Sequence, residues 1–89
     1  MALFSHILVQ HEYEAEDVLR LIRQGKTFAE MAKRFSKCPS ANQGGALAEM
    51  KKGRADEDFE AAAYLLAPGQ MSEKPVKTKF GYHLILRLS

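Results

Sequence analysis

Eighty-nine residues and a mass of 10.0 kDa leave room for one small domain, expected here to span residues 1–89. Apolar residues at 46% and charged residues at 27% are ordinary globular composition, which argues against disorder of the whole chain. The 13 Lys and Arg against 11 Asp and Glu give a net charge of +2, too little for a dedicated nucleic-acid binder. One cysteine excludes an intrachain disulfide and fits a reducing compartment. No apolar run approaches the roughly 20 residues of a membrane span. Met1 leads within two residues into a strand-like segment, which leaves no room for a signal peptide. A cytoplasmic location is therefore expected, although an excised domain of a longer protein would read the same.

In chain order, Leu3-Phe4-Ser5-His6-Ile7-Leu8-Val9 reads as a short, mostly buried strand. Gln10 to Glu14 is a polar link to a first helix. In it Ala15, Val18, Leu19 and Ile22 form one apolar face, and Gly25 marks the stop. Thr27 and Glu30 make a T-x-x-E capping box for a second helix, whose face is Phe28, Met31, Ala32 and Phe35. Periodicity lapses from Ser36 to Gly45. Ala46 to Met50 is ambiguous between a short strand and an extended loop, and Lys51 to Arg54 reads as an exposed turn. A third helix starts near Asp56 or Asp58, buries Phe59, Ala62, Ala63 and Leu66, and is expected to end at Pro68-Gly69. A strand around Glu73 to Thr78 and a turn at Lys79-Phe80-Gly81 lead into a last strand. That strand alternates Tyr82, Leu84, Leu86 and Leu88 with His83, Ile85 and Arg87. The order is β-α-α-α-β-β with a short strand near Leu47, which is an α+β class with a mixed or antiparallel sheet.

Few residues stand out chemically. His6 and His83 lie at the centres of the first and last strands, which often pair, so the two imidazoles could meet. The bland reading of each is a satisfied core histidine. His11 sits in a polar loop. Cys38 reads either as a small apolar filler or as a nucleophile activated by a histidine, and nothing beside it in sequence supports activation. One Cys and two distant His lack a close-spaced ligand pair, so no metal site is expected. Asp56, Glu57, Asp58 and Glu60 suit a helix N-terminus. Lys33, Arg34, Lys37, Lys51, Lys52 and Arg54 read as exposed helix ends and turns, with a secondary preference for acidic peptides. Met50, Phe59 and Phe80 are large apolar residues at element edges, where they serve a core or edge a shallow peptide pocket.

These segments together carry a resemblance. Ser5-His6-Ile7-Leu8-Val9, Phe28-Ala29-Glu30-Met31-Ala32 running on to Ser36, Cys38-Pro39-Ser40, Gly44-Gly45-Ala46-Leu47, Phe59-Glu60, and Pro75-Val76 through Phe80-Gly81-Tyr82-His83 resemble, in order and spacing, the parvulin-type peptidyl-prolyl isomerases. The resemblance implies a four-stranded antiparallel sheet surrounded by helices. It also implies cis/trans isomerisation of Xaa-Pro bonds, without a cofactor, in flexible or unfolded segments of client proteins. It implies that His6, His83, Cys38 and Thr78 form a buried hydrogen-bonded cluster. It places Leu47, Met50, Ala55 and Phe59 around a proline pocket with Phe80 near its rim.

Two positions depart from the family pattern: Met50 stands where Phe is usual and Ala55 where Met is usual. The second removes a large wall residue, which makes a peptide-binding, chaperone-like module with little catalysis the alternative reading; a thiol enzyme using Cys38 is the third. The phosphate-specific branch carries basic residues after the first strand. Here Gln10-His11-Glu12-Tyr13-Glu14 is acidic, so no phosphate requirement is expected. A monomer is expected, with no nucleic-acid or membrane partner.

Overall fold

The computed structural model describes residues 2–47 and 56–89. The first strand, β1 (Phe4–Val9), runs antiparallel to the last, β3 (Gly81–Arg87), and β2 (Val76–Thr78) lies on the other side of β3. The register sets His6 opposite Ile85, Leu8 opposite His83, and Val76 opposite His83 on the far side.

Alternation along the strands divides the core in two. Ile7, Val9 and Leu84 point to one face. There they pack on Ala15, Val18 and Leu19 of helix α1 (Glu12–Arg23) and on Phe28, Met31 and Ala32 of helix α2 (Phe28–Phe35). Phe4 and Ile85 point to the other face and pack on Phe59 and Ala63 of helix α3 (Glu57–Tyr64). Phe4, Ile7, Leu84 and Ile85 are wholly buried, each contributing about 1.5–3 kcal/mol of transfer free energy. The sheet is thus covered by helices on both faces, an α+β arrangement of three α-helices on three antiparallel strands among the described residues. The expected alternation of His83 and Ile85 against Tyr82, Leu84 and Leu86 is what divides the two cores.

Helix ends follow the sequence signals with three adjustments. The Thr27 hydroxyl accepts from the Glu30 N–H at 3.1 Å and opens α2. In the first helix, the His11 N–H donates to Glu14 Oε1 at 3.0 Å, so α1 begins at Glu12 and the polar link shrinks to Gln10-His11. Asp56, not Asp58, caps α3: its Oδ1 accepts from the Asp58 N–H at 2.9 Å and the Phe59 N–H at 3.3 Å. That helix stops at Tyr64, short of Pro68-Gly69. Tertiary bonds to β3 claim the next residues, with the Leu66 carbonyl accepting from the Arg87 guanidinium at 2.7 Å and the Gly69 N–H donating to the Arg87 carbonyl at 2.7 Å.

The strand expected over Glu73 to Thr78 keeps only Val76–Thr78. Met71 bridges Leu86, and the chain rejoins β3 only from Val76. Pro75, which has no N–H to donate, lies in the gap. The fourth strand expected near Leu47 is, among the described residues, a single bridge from Ser5 to Ala46. The His6 N–H donates to the Gly45 carbonyl at 2.9 Å and the Leu47 N–H to the Phe4 carbonyl at 3.0 Å. No helix among the described residues is long and apolar enough to cross a membrane.

Candidate active site

The first and last strands bring His6 and His83 together across 77 residues of sequence. Their Nδ1 atoms lie 3.0 Å apart and their rings stack at 5.2 Å with an interplanar angle of 19°. His83 Nε2 lies 2.8 Å from Thr78 Oγ1, which also accepts from the Phe80 N–H at 3.2 Å. Both imidazoles and Thr78 are buried. Phe59 of α3 sets its ring edge-on to both, at 5.6 Å from His6 and 5.1 Å from His83. Of the sequence-selected residues, His6, His83, Thr78 and Phe59 therefore form one cluster.

The proton order is assigned as the one that leaves the fewest polar atoms unpaired. An Nδ1···Nδ1 hydrogen bond between neutral imidazoles needs a proton on one nitrogen and a lone pair on the other. Since Thr78 Oγ1 already accepts from Phe80, its own proton is available to His83 Nε2. His83 then carries its proton on Nδ1 and donates to His6 Nδ1, and His6 holds its proton on Nε2. That nitrogen is buried without a partner among the described residues, as is the Ser40 hydroxyl. The reverse order would leave two orphans, His6 Nε2 and the Thr78 hydroxyl proton, instead of one.

Burial, with the neighbouring His83 adding to it, lowers the His6 pKa from 6.5 to about 4. Burial also lowers that of His83, while the Asp56 carboxylate pulls it partly back up. The pair is therefore uncharged at neutral pH. Asp56 was legible in the sequence as one of two candidate helix caps, with Asp58; its electrostatic reach to His83 was not, because it depends on α3 docking against β3.

The remaining predicted residues flank the cluster. Leu47 is half-buried and packs against the core cluster that contains Phe4 and Phe59. Phe80 is 62% exposed at the β2–β3 turn, with the Lys79 ammonium 5.3 Å from its ring centre. Cys38 is half-buried and opens a 3-10 helix, Pro39–Gln43. No hydrogen bond joins it to either imidazole among the described residues. Met50 and Ala55 lie outside the described residues. No group of three or more His, Cys, Asp or Glu side chains close enough to hold a metal occurs among the described residues.

Comparison with known proteins agrees with this geometry. Residues 6–89 match the family described as Rotamase: PPIC-type PPIASE domain. The chain belongs to the parvulin family of peptidyl-prolyl isomerases. This parvulin domain is 46% identical to Foldase protein PrsA 4 of Bacillus cereus over 82 residues, which is 91% of this chain and 29% of the foldase. The chain spans under a third of the length of the curated relatives it matches. Its fold superposes on the crystal structure of PrsA from Bacillus subtilis with a TM-score of 0.93 at 40% identity, covering 99% of this chain and 34% of that one. Against the solution structure of NmPin, the parvulin of Nitrosopumilus maritimus, the TM-score is 0.86 at 37% identity. There the match covers 99% of this chain and 95% of the other, so a parvulin of nearly this size stands as a whole chain.

Proposed function

We propose that residues 1–89 act as one rotamase domain that isomerises Xaa-Pro bonds in flexible segments of client proteins, without a cofactor. The observation that carries this reading is the buried, uncharged His6–His83 pair. It is bonded to Thr78 and faced by Phe59, in a chain that matches the isomerase family from residue 6 to its end.

Rotating the peptide bond costs about 18–20 kcal/mol because amide resonance must be broken. A thousandfold acceleration requires ~4 kcal/mol off that barrier. No bond is made or broken, so no nucleophile is needed. The twisted amide is less polar than either planar isomer, and an uncharged, dehydrated surface penalises it less than the planar forms. In this reading Leu47 and Phe59 hold the proline ring while the preceding carbonyl turns, and Phe80 lines the rim; Met50 and Ala55, expected at the same pocket, lie outside the described residues. His6, His83 and Thr78 form the floor, with Cys38 tuning its polarity. Glu12 and Glu14, in the first turn of α1, repel a phosphate, so phosphorylation before proline is not required. The foldase names of the relatives support protein clients, and a monomer suffices for this chemistry.

Two-dimensional NMR exchange spectroscopy on Ala-Xaa-Pro peptides, with catalytic amounts of protein, tests the proposal. Cis/trans exchange cross-peaks that appear only with the protein are expected, for unphosphorylated and phosphorylated peptides without preference for the latter. A Cys38→Ser protein keeps measurable exchange. Peptide resonances that shift without exchange would reject catalysis in favour of a binding module, and loss of all exchange in folded Cys38→Ser would restore the thiol mechanism.

A further inference from the structure

The loop that leaves α2 runs along the outer edge of β1, and its bonds to that edge can be followed one by one. At one end, the Leu47 N–H donates to the Phe4 carbonyl at 3.0 Å and the His6 N–H to the Gly45 carbonyl at 2.9 Å. At the other end, the Lys37 N–H donates to the Leu8 carbonyl at 2.7 Å. These three are backbone bonds. The fourth, from the Leu8 N–H, goes to a side chain instead: Ser36 Oγ accepts it at 3.0 Å. The same oxygen accepts the Cys38 N–H at 3.3 Å. Ser36 is also the residue that ends α2, in extended conformation at φ −68° and ψ 136°.

One hydroxyl therefore performs two tasks. It satisfies a strand-edge N–H that the departing backbone leaves unpaired, and it ties down the residue that opens the 3-10 helix. Its anchor on β1 is Leu8, whose cross-strand partner is His83. Cys38 is thus referenced, through a single oxygen, to the strand position that faces one of the two histidines.

We propose that Ser36 is a positioning residue whose hydroxyl, shared by the Leu8 and Cys38 N–H groups, fixes where Cys38 stands relative to the His6–His83 pair. The consequence for turnover rests on the function proposed above; the positioning itself does not. Ser36 touches no substrate in this account and acts only through Cys38 and the edge of β1.

The test compares Ser36→Ala with Ser36→Thr, which keeps the hydroxyl. Two quantities are read: the rate of Cys38 alkylation by iodoacetamide in the native protein, and kcat/KM on an Ala-Xaa-Pro peptide. Thiol reactivity follows local exposure, so Ser36→Ala should alkylate at least about threefold faster. Its kcat/KM should fall by about threefold or more through kcat rather than KM, since the pocket is intact and only orientation is lost. The threonine variant should match wild type in both. Wild-type alkylation in folded Ser36→Ala overturns the proposal, and so does a threonine variant as altered as the alanine one.

Should Ser36→Ala fail to fold, amide hydrogen exchange on the wild-type protein decides alongside Ser36→Thr. The Leu8 and Cys38 amides must be protected together, and a Cys38 amide exchanging like free loop overturns the assignment. Failure of the wider reading looks different. If Cys38→Ala turns over at the full rate, Cys38 leaves the chemistry, while the alkylation rates still report whether Ser36 places it.

Discussion

His83 spends both ring nitrogens on partners, and its Nε2 contact at 2.8 Å to Thr78 is the one a single methyl substitution removes. Thr78→Val keeps the side-chain shape but deletes the hydroxyl. It leaves the buried His83 Nε2 without its partner, which costs about 1–3 kcal/mol, and takes the acceptor from the part-buried Phe80 N–H. It also removes the donor that favours one proton order, so both orders then leave the same number of unpaired ring nitrogens and both become populated. The expected result is a folded, less stable protein in which long-range ring-nitrogen NMR spectra show mixed tautomers at both histidines and isomerisation is slowed several-fold. Thr78→Ser should restore both. Unchanged tautomers in Thr78→Val would mean that the histidine pair sets its own proton order. At this scale the sequence was informative where side-chain type alone decides. Two histidines centred in terminal strands pointed to each other, whereas the role of Ser36 as shared acceptor could not be read, because both N–H groups it serves are backbone.

Gly45 shows what one element demands of its neighbour. Its φ of +86° is left-handed, and a Cβ there would lie 2.5 Å from the His6 carbonyl oxygen and 3.1 Å from the Ala32 methyl. Gly69 has almost the same φ, +87°, with nothing within 4 Å of that position. The two glycines thus separate backbone strain from collision. Gly69→Ala should cost about 1–2 kcal/mol, the conformational term alone. Gly45→Ala should cost at least ~2 kcal/mol more and displace the loop from β1, taking His6 with it. Equal denaturation midpoints for the two variants would show that the loop yields freely at Gly45. Element boundaries were legible where local chemistry sets them, as at Thr27 and Asp56. They were misread where distant partners do: α3 ends at Tyr64, and the chain after it is bonded to β3 through Arg87. The strand near Leu47 shows the same limit, since a bridge between Ser5 and Ala46 depends on how far the loop stays with β1.

Over the whole molecule, closing β1 against β3 buries two imidazoles at the junction of the sheet and α3, and stability must then depend on pH. The resemblance to the isomerase family was carried by segments spread over nearly the entire chain, so the site was legible as a set of positions. The chemical state of those positions was not, because burial is a property of the assembled fold. The His6 pKa falls from 6.5 to about 4 on folding, and that of His83 falls as well. Between those two values the unfolded chain binds more protons at His6 than the folded one, so unfolding free energy rises with pH. The His6 contribution is fully present above pH 6.5 and is lost as pH falls toward 4, where it amounts to roughly 3 kcal/mol; His83 acts in the same direction. For a domain whose total stability lies in the ordinary range of about 5–15 kcal/mol, that is a substantial share. Urea unfolding at a series of pH values from 7 to 4 should give midpoints that fall steadily below pH 6.5, and His6→Gln should flatten much of the fall. A wild-type curve that stays level across this range would mean that the folded pair accepts a proton readily, and the uncharged floor on which the catalytic reading depends would have to be abandoned.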